Sequence, residues 1–381
     1  MTKKKVMLVF GTRPEAIKMA PVFQALKGRA DAFEVLCCVT AQHRQMLDSV
    51  LETFDIRPDI DLDLMRPDQD LYSVTAAVIL GLRDVFTKHK PDVVLVHGDT
   101  TTTAATSIAA FYAGVPVGHV EAGLRTHDLA APFPEEFNRK MTSIVARYHF
   151  APTEISRDNL IAENVAADHV HVTGNTVIDA LQFVVSRLNN DSERSAAVDA
   201  DLSAELPFPW RSTRFVLITG HRRENFGGGF LQICRALQIL SDIYPDTHFV
   251  YPVHLNPNVK APVHEHLSGR TNVHLIPPLT YEPFVRLLSH CYLVLTDSGG
   301  IQEEAPGLGK PVLVMRDRTE RPEAVTAGTV RLVGADCDKI VGHVRELLDN
   351  GESYAEMSKA HNPYGDGQAS RRIIDVLEIG E

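Results

Sequence analysis

Ser298-Gly299-Gly300 follows the short apolar run 293–296 and Asp297, and opens a helical pattern that continues through Ile301-Gln302-Glu303-Glu304. A helix start of this kind leaves backbone N–H groups without partners, and glycine puts no Cβ in front of them, so the chemistry it offers is phosphate binding. A plain glycine turn is the competing reading. Arg321 lies downstream in Arg318-Thr319-Glu320-Arg321-Pro322 and brings a guanidinium, which matches phosphate oxygens two at a time. Glu304 sits one turn inside the helix, placed to accept hydrogen bonds from sugar hydroxyls. His221, in Gly220-His221-Arg222-Arg223-Glu224, follows another apolar run; a lone histidine is usually structural, but this one stands at a strand end beside two arginines.

A second group of residues belongs to the first half of the chain and is acidic. Asp99 follows His97-Gly98 and precedes four threonines, Glu121 follows the run 115–120, and Glu135 stands in Pro132-Phe133-Pro134-Glu135-Glu136. Each alone reads as a cap or a solvated charge. Three acids crowded together have pKa values pushed apart, so that some can give protons and others take them. Gly11-Thr12-Arg13-Pro14-Glu15-Ala16-Ile17-Lys18 adds two cations at the start of a helix, where an anion is favoured. Its spacing is neither G-x-G-x-x-G nor a P-loop, which weighs against dinucleotide binding and Walker-type ATP use.

These residues do chemistry together only if the elements bring them to common edges. Apolar, β-branched runs recur at 6–10, 35–40, 93–97, 115–120 and 169–173, then at 215–219, 248–252, 273–276, 293–296, 312–315 and 330–333, with helical patterns between them. Continuous rather than alternating hydrophobicity marks strands covered on both faces, and strand-helix alternation builds parallel, doubly wound sheets. In such sheets ligands bind beyond the carboxyl ends of the strands, where every residue named above falls. The fold class is α/β with two Rossmann-like domains, divided between 175 and 212, where Asn189–Ser195 is polar and Pro207-Phe208-Pro209 stops a helix. We set the first domain at 1–178, completed by a C-terminal helix in 364–381 beyond the breaker Asn362-Pro363-Tyr364-Gly365, and the second at 179–363.

Composition narrows the function classes. A chain of 381 residues exceeds one ordinary core, and 44% hydrophobic with 23% charged residues is that of a globular protein. The net charge of -11 gives no electrostatic reason to bind nucleic acid or an anionic membrane, and any anionic ligand must be held by locally placed cations and backbone N–H groups. The apolar run at 6–10 is too short for a signal or a span. Five cysteines without a C-x-x-C pair read as buried, reduced thiols of a cytoplasmic protein, not as zinc ligands.

FGTRPEAIKMA (10–20), VHGDTTTT (96–103), GHVEAGLRT (118–126), PEE (134–136), GNTVIDA (174–180), GHRRE (220–224), PVHLNPN (252–258), DSGGIQEEAPGLG (297–309) and RPEAVTAG (321–328) stand in one order over nearly the whole chain. This string closely resembles the bacterial non-hydrolysing UDP-N-acetylglucosamine 2-epimerase family. The resemblance implies the GT-B arrangement of two Rossmann-like domains facing across a cleft, a homodimer, and neither redox cofactor nor obligatory metal. It implies reversible C2 epimerisation of UDP-GlcNAc to UDP-ManNAc for cell-surface polysaccharide, through elimination of UDP to 2-acetamidoglucal and re-addition. By motif, Arg13, Ser298, Gly299, Gly300 and Arg321 would bind phosphates, Glu304 the ribose, and Phe284 the uracil. Asp99, Glu121, Glu135 and His221 would serve proton transfer, with Lys18 supporting the site. Some relatives bind a second UDP-GlcNAc as activator, and the matching positions are Gln42, Gln45, Glu136, Arg222 and His254. The loop 65–70 varies in this family, and Ala131-Pro132-Phe133 replaces a frequent Ser-Pro-Trp.

Three rivals share parts of this pattern. A GT-B glycosyltransferase shares the nucleotide site but has no need of three acids at one edge. A hydrolysing 2-epimerase differs only in letting water reach the glucal. A non-catalytic sensor keeps the phosphate residues without the acids.

Overall fold

The computed structural model describes residues 3–40, 44–64, 66 and 69–379, the side chains of 44–46 excepted. The chain forms two compact units, Met1–Gln182 with Tyr364–Glu381, and Phe183–Pro363. It passes from the first to the second inside one continuous helix, Thr176–Asn190. The polar stretch after that helix supplies Asp191, which caps the next helix, Ser192–Glu205, by accepting from Arg194 N.

In the first unit the described strands are β1 (Lys4–Phe10), β2 (Phe33–Val39), β3 (Ile60–Asp61), β4 (Val93–His97), β5 (Val117–Val120), β6 (Ala146–Ala151) and β7 (Val170–Val172). They form one parallel sheet in the order β3-β2-β1-β4-β5-β6-β7. Val6–Phe10 of β1 and Val94–Val96 of β4 are wholly buried, as strands with helices on both faces must be. The second unit has β8 (Phe215–Thr219), β9 (His248–Pro252), β10 (Val273–Ile276), β11 (Leu293–Thr296), β12 (Val312–Val314) and β13 (Val330–Leu332) in the order β10-β9-β8-β11-β12-β13, again parallel. Each order reverses once, at β1/β4 and at β8/β11. Those reversals open the sheet edge where loops diverge and a ligand fits.

Two strands have no counterpart among the runs read from the sequence. β3 is two residues long. β6, Ala-Arg-Tyr-His-Phe-Ala, follows the helix Glu135–Val145 with no turn residue between, and only its last three residues are buried. No change of periodicity announces it.

The C-terminal helix Ala369–Ile379 returns to the first unit. The Asp179 carboxylate accepts Ser370 N at 2.8 Å and Ala369 N at 3.2 Å, capping that helix, and Lys4 Nζ donates to Leu377 O at 2.7 Å. All five cysteines are free and buried. Among the described residues, no helix is long and apolar enough to cross a membrane.

Candidate active site

In the first unit β1 runs through Gly11 into the helix Arg13–Gly28, whose N-cap is Thr12. Thr12 and Glu15 form a capping box. Glu15 Oε2 accepts Gly11 N at 3.0 Å and Thr12 N at 2.8 Å, while Oε1 accepts the hydroxyls of Thr100 at 2.5 Å and Thr103 at 3.2 Å. Burial raises the Glu15 pKa against the lowering effect of these donors. This corrects the expectation that the helix start receives a ligand anion: part of that role falls to a buried carboxylate of the chain itself. Thr12-x-x-Glu15 was the available signal. Arg13 is the first helical residue and is half-buried.

Lys18 and Glu121 meet as an ion pair, their side chains 10% and 9% exposed. Glu121 ends β5 with φ of 64°, a left-handed conformation that glutamate rarely adopts. Its Oε1 also accepts Asn175 Nδ2 at 2.8 Å, and its Oε2 lies 3.5 Å from His97 Nε2. A Cβ built on Gly98, between His97 and Asp99, would lie 3.4 Å from Glu121 Oε2, so Glu121 and the Asp99 loop are neighbours.

Asp99 is tied to the helix Glu135–Val145 twice. Arg139 Nη2 donates to Asp99 Oδ2 at 2.5 Å, and Asn138 Nδ2 donates to the Asp99 carbonyl at 2.8 Å. Arg139 also donates through Nη1 to Glu136 Oε2 at 2.8 Å. Glu135 opens the same helix, one turn from both residues that grip Asp99. Its Oε2 is buried with no hydrogen-bond partner among the described residues, an oxygen with its lone pairs unspent. Lys18, Asp99, Glu121 and Glu135 therefore gather at the carboxyl edge of β1, β4 and β5. Asn138, Arg139 and Asn175, which hold them, were not singled out from the sequence. The bond from Asn175 to Glu121 spans 54 positions, which no local pattern encodes.

In the second unit Asp297 ends β11 and is completely buried. It accepts His221 N at 2.9 Å, Arg222 N at 2.9 Å and Asn225 Nδ2 at 3.2 Å, so it fixes the loop that carries His221. The His221 Nδ1 lies 3.7 Å from Asp297 Oδ1. Partial burial holds its pKa below the ordinary value against the pull of Asp297, which favours a neutral imidazole at pH 7.

Ser298 is the N-cap of the helix Gly299–Gly307, and no side chain among the described residues caps it. The first N–H groups thus stay open to a ligand. Arg321 Nε donates to Glu303 Oε1 at 2.6 Å, and the guanidinium lies directly over Gly299, where an added Cβ would come within 2.6 Å of Nη1. A Cβ on Gly300 would meet nothing within 4 Å. Glu304 is buried and accepts the Tyr281 hydroxyl at 2.9 Å. Tyr281 opens the helix Tyr281–His290 that carries Phe284, half-buried, so the residue expected at the ribose and the one expected at the base are joined by one hydrogen bond. Gly299→Ala should displace the Arg321 guanidinium from the bare helix start. UDP affinity, measured by calorimetric titration, should fall about 10- to 100-fold, the loss expected for a charge-assisted bond pair, with little change in Tm. Affinity equal to that of the unsubstituted chain would show that Arg321 holds no phosphate.

The residues matched to a second ligand are divided between the two units. Gln42 lies outside the described residues, as does the side chain of Gln45. Glu136 is completely buried and accepts Thr126 N and His127 N, both at 3.1 Å, besides Arg139, which gives it a structural duty in the first unit. In the second unit Arg222 Nε is buried without a hydrogen-bond partner among the described residues, and the exposed His254 ring stacks on His221 with centroids 5.4 Å apart.

A family model described as UDP-N-acetylglucosamine 2-epimerase matches residues 24–378. The UDP-N-acetylglucosamine 2-epimerase of Escherichia coli (strain K12) is 58% identical over 375 residues, covering 98% of each chain. Among solved structures, UDP-GlcNAc 2-epimerase from Neisseria meningitidis bound to UDP-GlcNAc is 51% identical with a TM-score of 0.91, covering 98% of this chain and 99% of that one. The Methanocaldococcus jannaschii UDP-GlcNAc 2-epimerase, in complex with UDP-GlcNAc and UDP, is 31% identical with a TM-score of 0.83, covering 99% and 100%. The two parallel-sheet units are thus of the GT-B-like kind, and the chain belongs to the UDP-N-acetylglucosamine 2-epimerase family.

Proposed function

We propose that this chain interconverts UDP-GlcNAc and UDP-ManNAc without net hydrolysis. The carrying observation is the array of three carboxylates at one sheet edge of the first unit, each in a different setting: Glu121 against Lys18, Asp99 against Arg139, Glu135 with an unpartnered oxygen. A glycosyltransferase needs no such array. The C2 hydrogen of the sugar is not acidic, so its removal requires a placed base together with strong stabilisation of the leaving diphosphate. The C2–H bond breaks, its electron pair forms the C1=C2 double bond of 2-acetamidoglucal, and the C1–O pair leaves with UDP. Arg321 and the N–H groups of Gly299 and Gly300 carry the diphosphate charge. UDP then adds back to C1 while a proton enters C2 from the other face.

The acids divide by their surroundings. Asp99 and Glu121 are each held by a cationic partner, Arg139 and Lys18, whereas Glu135 Oε2 has no hydrogen-bond partner among the described residues. His221, neutral, sits on the phosphate side and serves the diphosphate oxygen. Incubation with UDP-GlcNAc in D2O should place deuterium at C2 in a mixture of both sugar nucleotides. Free ManNAc as main product would mean a hydrolase, and unlabelled, unchanged substrate would remove the epimerase reading.

A homodimer joined through the first unit belongs to the same proposal. The helices Leu71–His89, Thr101–Tyr112 and Glu135–Val145 pack side by side, and they expose Tyr72 (85%), Tyr112 (76%) and Ile144 (82%), with Leu80 and Phe111. Large apolar side chains exposed along three neighbouring helices fit a surface that a second copy covers. Light scattering should give twice the chain mass, and Phe111→Glu with Ile144→Glu should give the monomer with UDP affinity unchanged. A monomeric wild type would refute it.

A further inference from the structure

We infer that Asn175 is a positioning residue for the reaction, holding the Glu121 carboxylate in place and tying it to the point where the chain crosses between its two units. The inference rests on the epimerase reading above. Asn175 is 2% exposed and spends every polar group. Nδ2 donates to Glu121 Oε1 at 2.8 Å, Oδ1 accepts Val177 N at 3.0 Å, and its backbone N–H donates to Tyr364 O at 2.8 Å. Gly174 beside it packs on the same segment, with an added Cβ only 3.4 Å from Tyr364 O. The crossings lie at 182/183 and 363/364, so one is a short helical stretch from Asn175 and the other is joined to it by a hydrogen bond.

Glu121 needs such a tether. Its φ of 64° costs about 1 kcal/mol for a non-glycine residue and persists only if its surroundings impose it. The groups facing its carboxylate include Lys18 from the helix after β1, His97 from β4 and Asn175 from the start of Thr176–Asn190. Lys18 supplies charge through a flexible stem. Asn175, by contrast, is pinned at both ends of its amide, and the amide fixes which way the Oε1 lone pairs point. A base misplaced by about 1 Å loses on the order of 100-fold in rate.

The test uses the full chain. Asn175→Ala and Asn175→Asp should lower kcat about 10- to 100-fold with KM within about threefold, the effect of one hydrogen bond to a charged group in the transition state. The acid limb of the kcat profile should move up by about one pH unit in Asn175→Ala, and further in Asn175→Asp, which sets a second carboxylate against Glu121. The carbon-13 carboxyl signal of Glu121, assigned by its absence in Glu121→Gln, should show the same upward move. That signal needs no turnover: an inactive wild type would overturn the epimerase reading, while an unmoved Glu121 titration in both variants overturns the positioning role. Activity lost only in proportion to Tm, with the acid limb unmoved, also overturns it.

Discussion

Glu121→Gln should lower the rate of C2 hydrogen exchange about 1000-fold, the range removed with a general acid or base, while leaving UDP affinity within about threefold. Glutamine keeps the shape of the side chain and meets the left-handed backbone at Glu121 no worse than glutamate does. What disappears is charge, on a group whose oxygens face Lys18, Asn175 and His97. The phosphate residues Ser298, Gly299, Gly300 and Arg321 belong to the other unit and are untouched. The same substitution removes the Glu121 charge from beside the Lys18 ammonium, which is 10% exposed, and losing one partner of a buried pair costs about 3 kcal/mol. Lys18→Met in the Glu121→Gln background should therefore recover Tm and leave exchange lost. Rate and stability part company in that double variant, which separates the chemical duty of Glu121 from its packing. Asp99→Asn should lose exchange as well. Full exchange in both single variants would show that the carboxylates at this edge do not move the proton.

The sheets were legible because both faces are covered: runs such as Val6–Phe10 and Phe215–Thr219 stay apolar throughout, and a parallel strand needs little else to declare itself. The phosphate-facing start was legible for a similar reason, since Ser298-Gly299-Gly300 states its geometry locally. The supports were not. Arg139 reads as one more cation on an amphipathic helix until the fold brings Asp99 to it across 40 positions. Asp297 reads as a strand-end cap, and only the neighbouring β8 loop reveals that its partners are His221 N and Arg222 N. Glu15 stands in plain view in a capping box, but the hydroxyls its other oxygen accepts belong to Thr100 and Thr103, 85 and 88 positions away. Residues that touch substrate tend to sit in short motifs, whereas residues that aim them are recruited through tertiary contacts. That asymmetry explains why Asn175, within the motif GNTVIDA, showed no role until its amide was seen against Glu121.

Acidification between pH 7 and pH 5 should destabilise this protein steeply, well before its carboxylates protonate. Burial depresses the pKa of several histidines and of three of them far: His119 to about 3, with neighbouring charges acting against the Gly98 carbonyl bond, and His149 and His274 to about 4 each. All three lie in the interior, His119 with Nε2 2.7 Å from Gly98 O, and His274 with Nε2 2.8 Å from His248 Nδ1. Their unfolded pKa is about 6.5, so below that value the unfolded chain binds protons that the folded chain refuses. The sign follows: stability is full above pH 6.5 and falls as pH drops toward 4, by about 1.4 kcal/mol per pH unit per histidine. At pH 5 each costs about 2 kcal/mol, and two of the three act on the first unit. Paired carboxylates such as Glu320, which Arg321 and Arg316 hold near 2 despite burial, add their own loss only below the unfolded value of 4.5. The histidines therefore dominate the upper window. Tm should fall by about 8 °C or more between pH 7 and pH 5, at roughly 2–4 °C per kcal/mol for units of this size. A Tm that stays level from pH 7 to pH 5.5 would show that these imidazoles take up protons in the folded state as readily as in water.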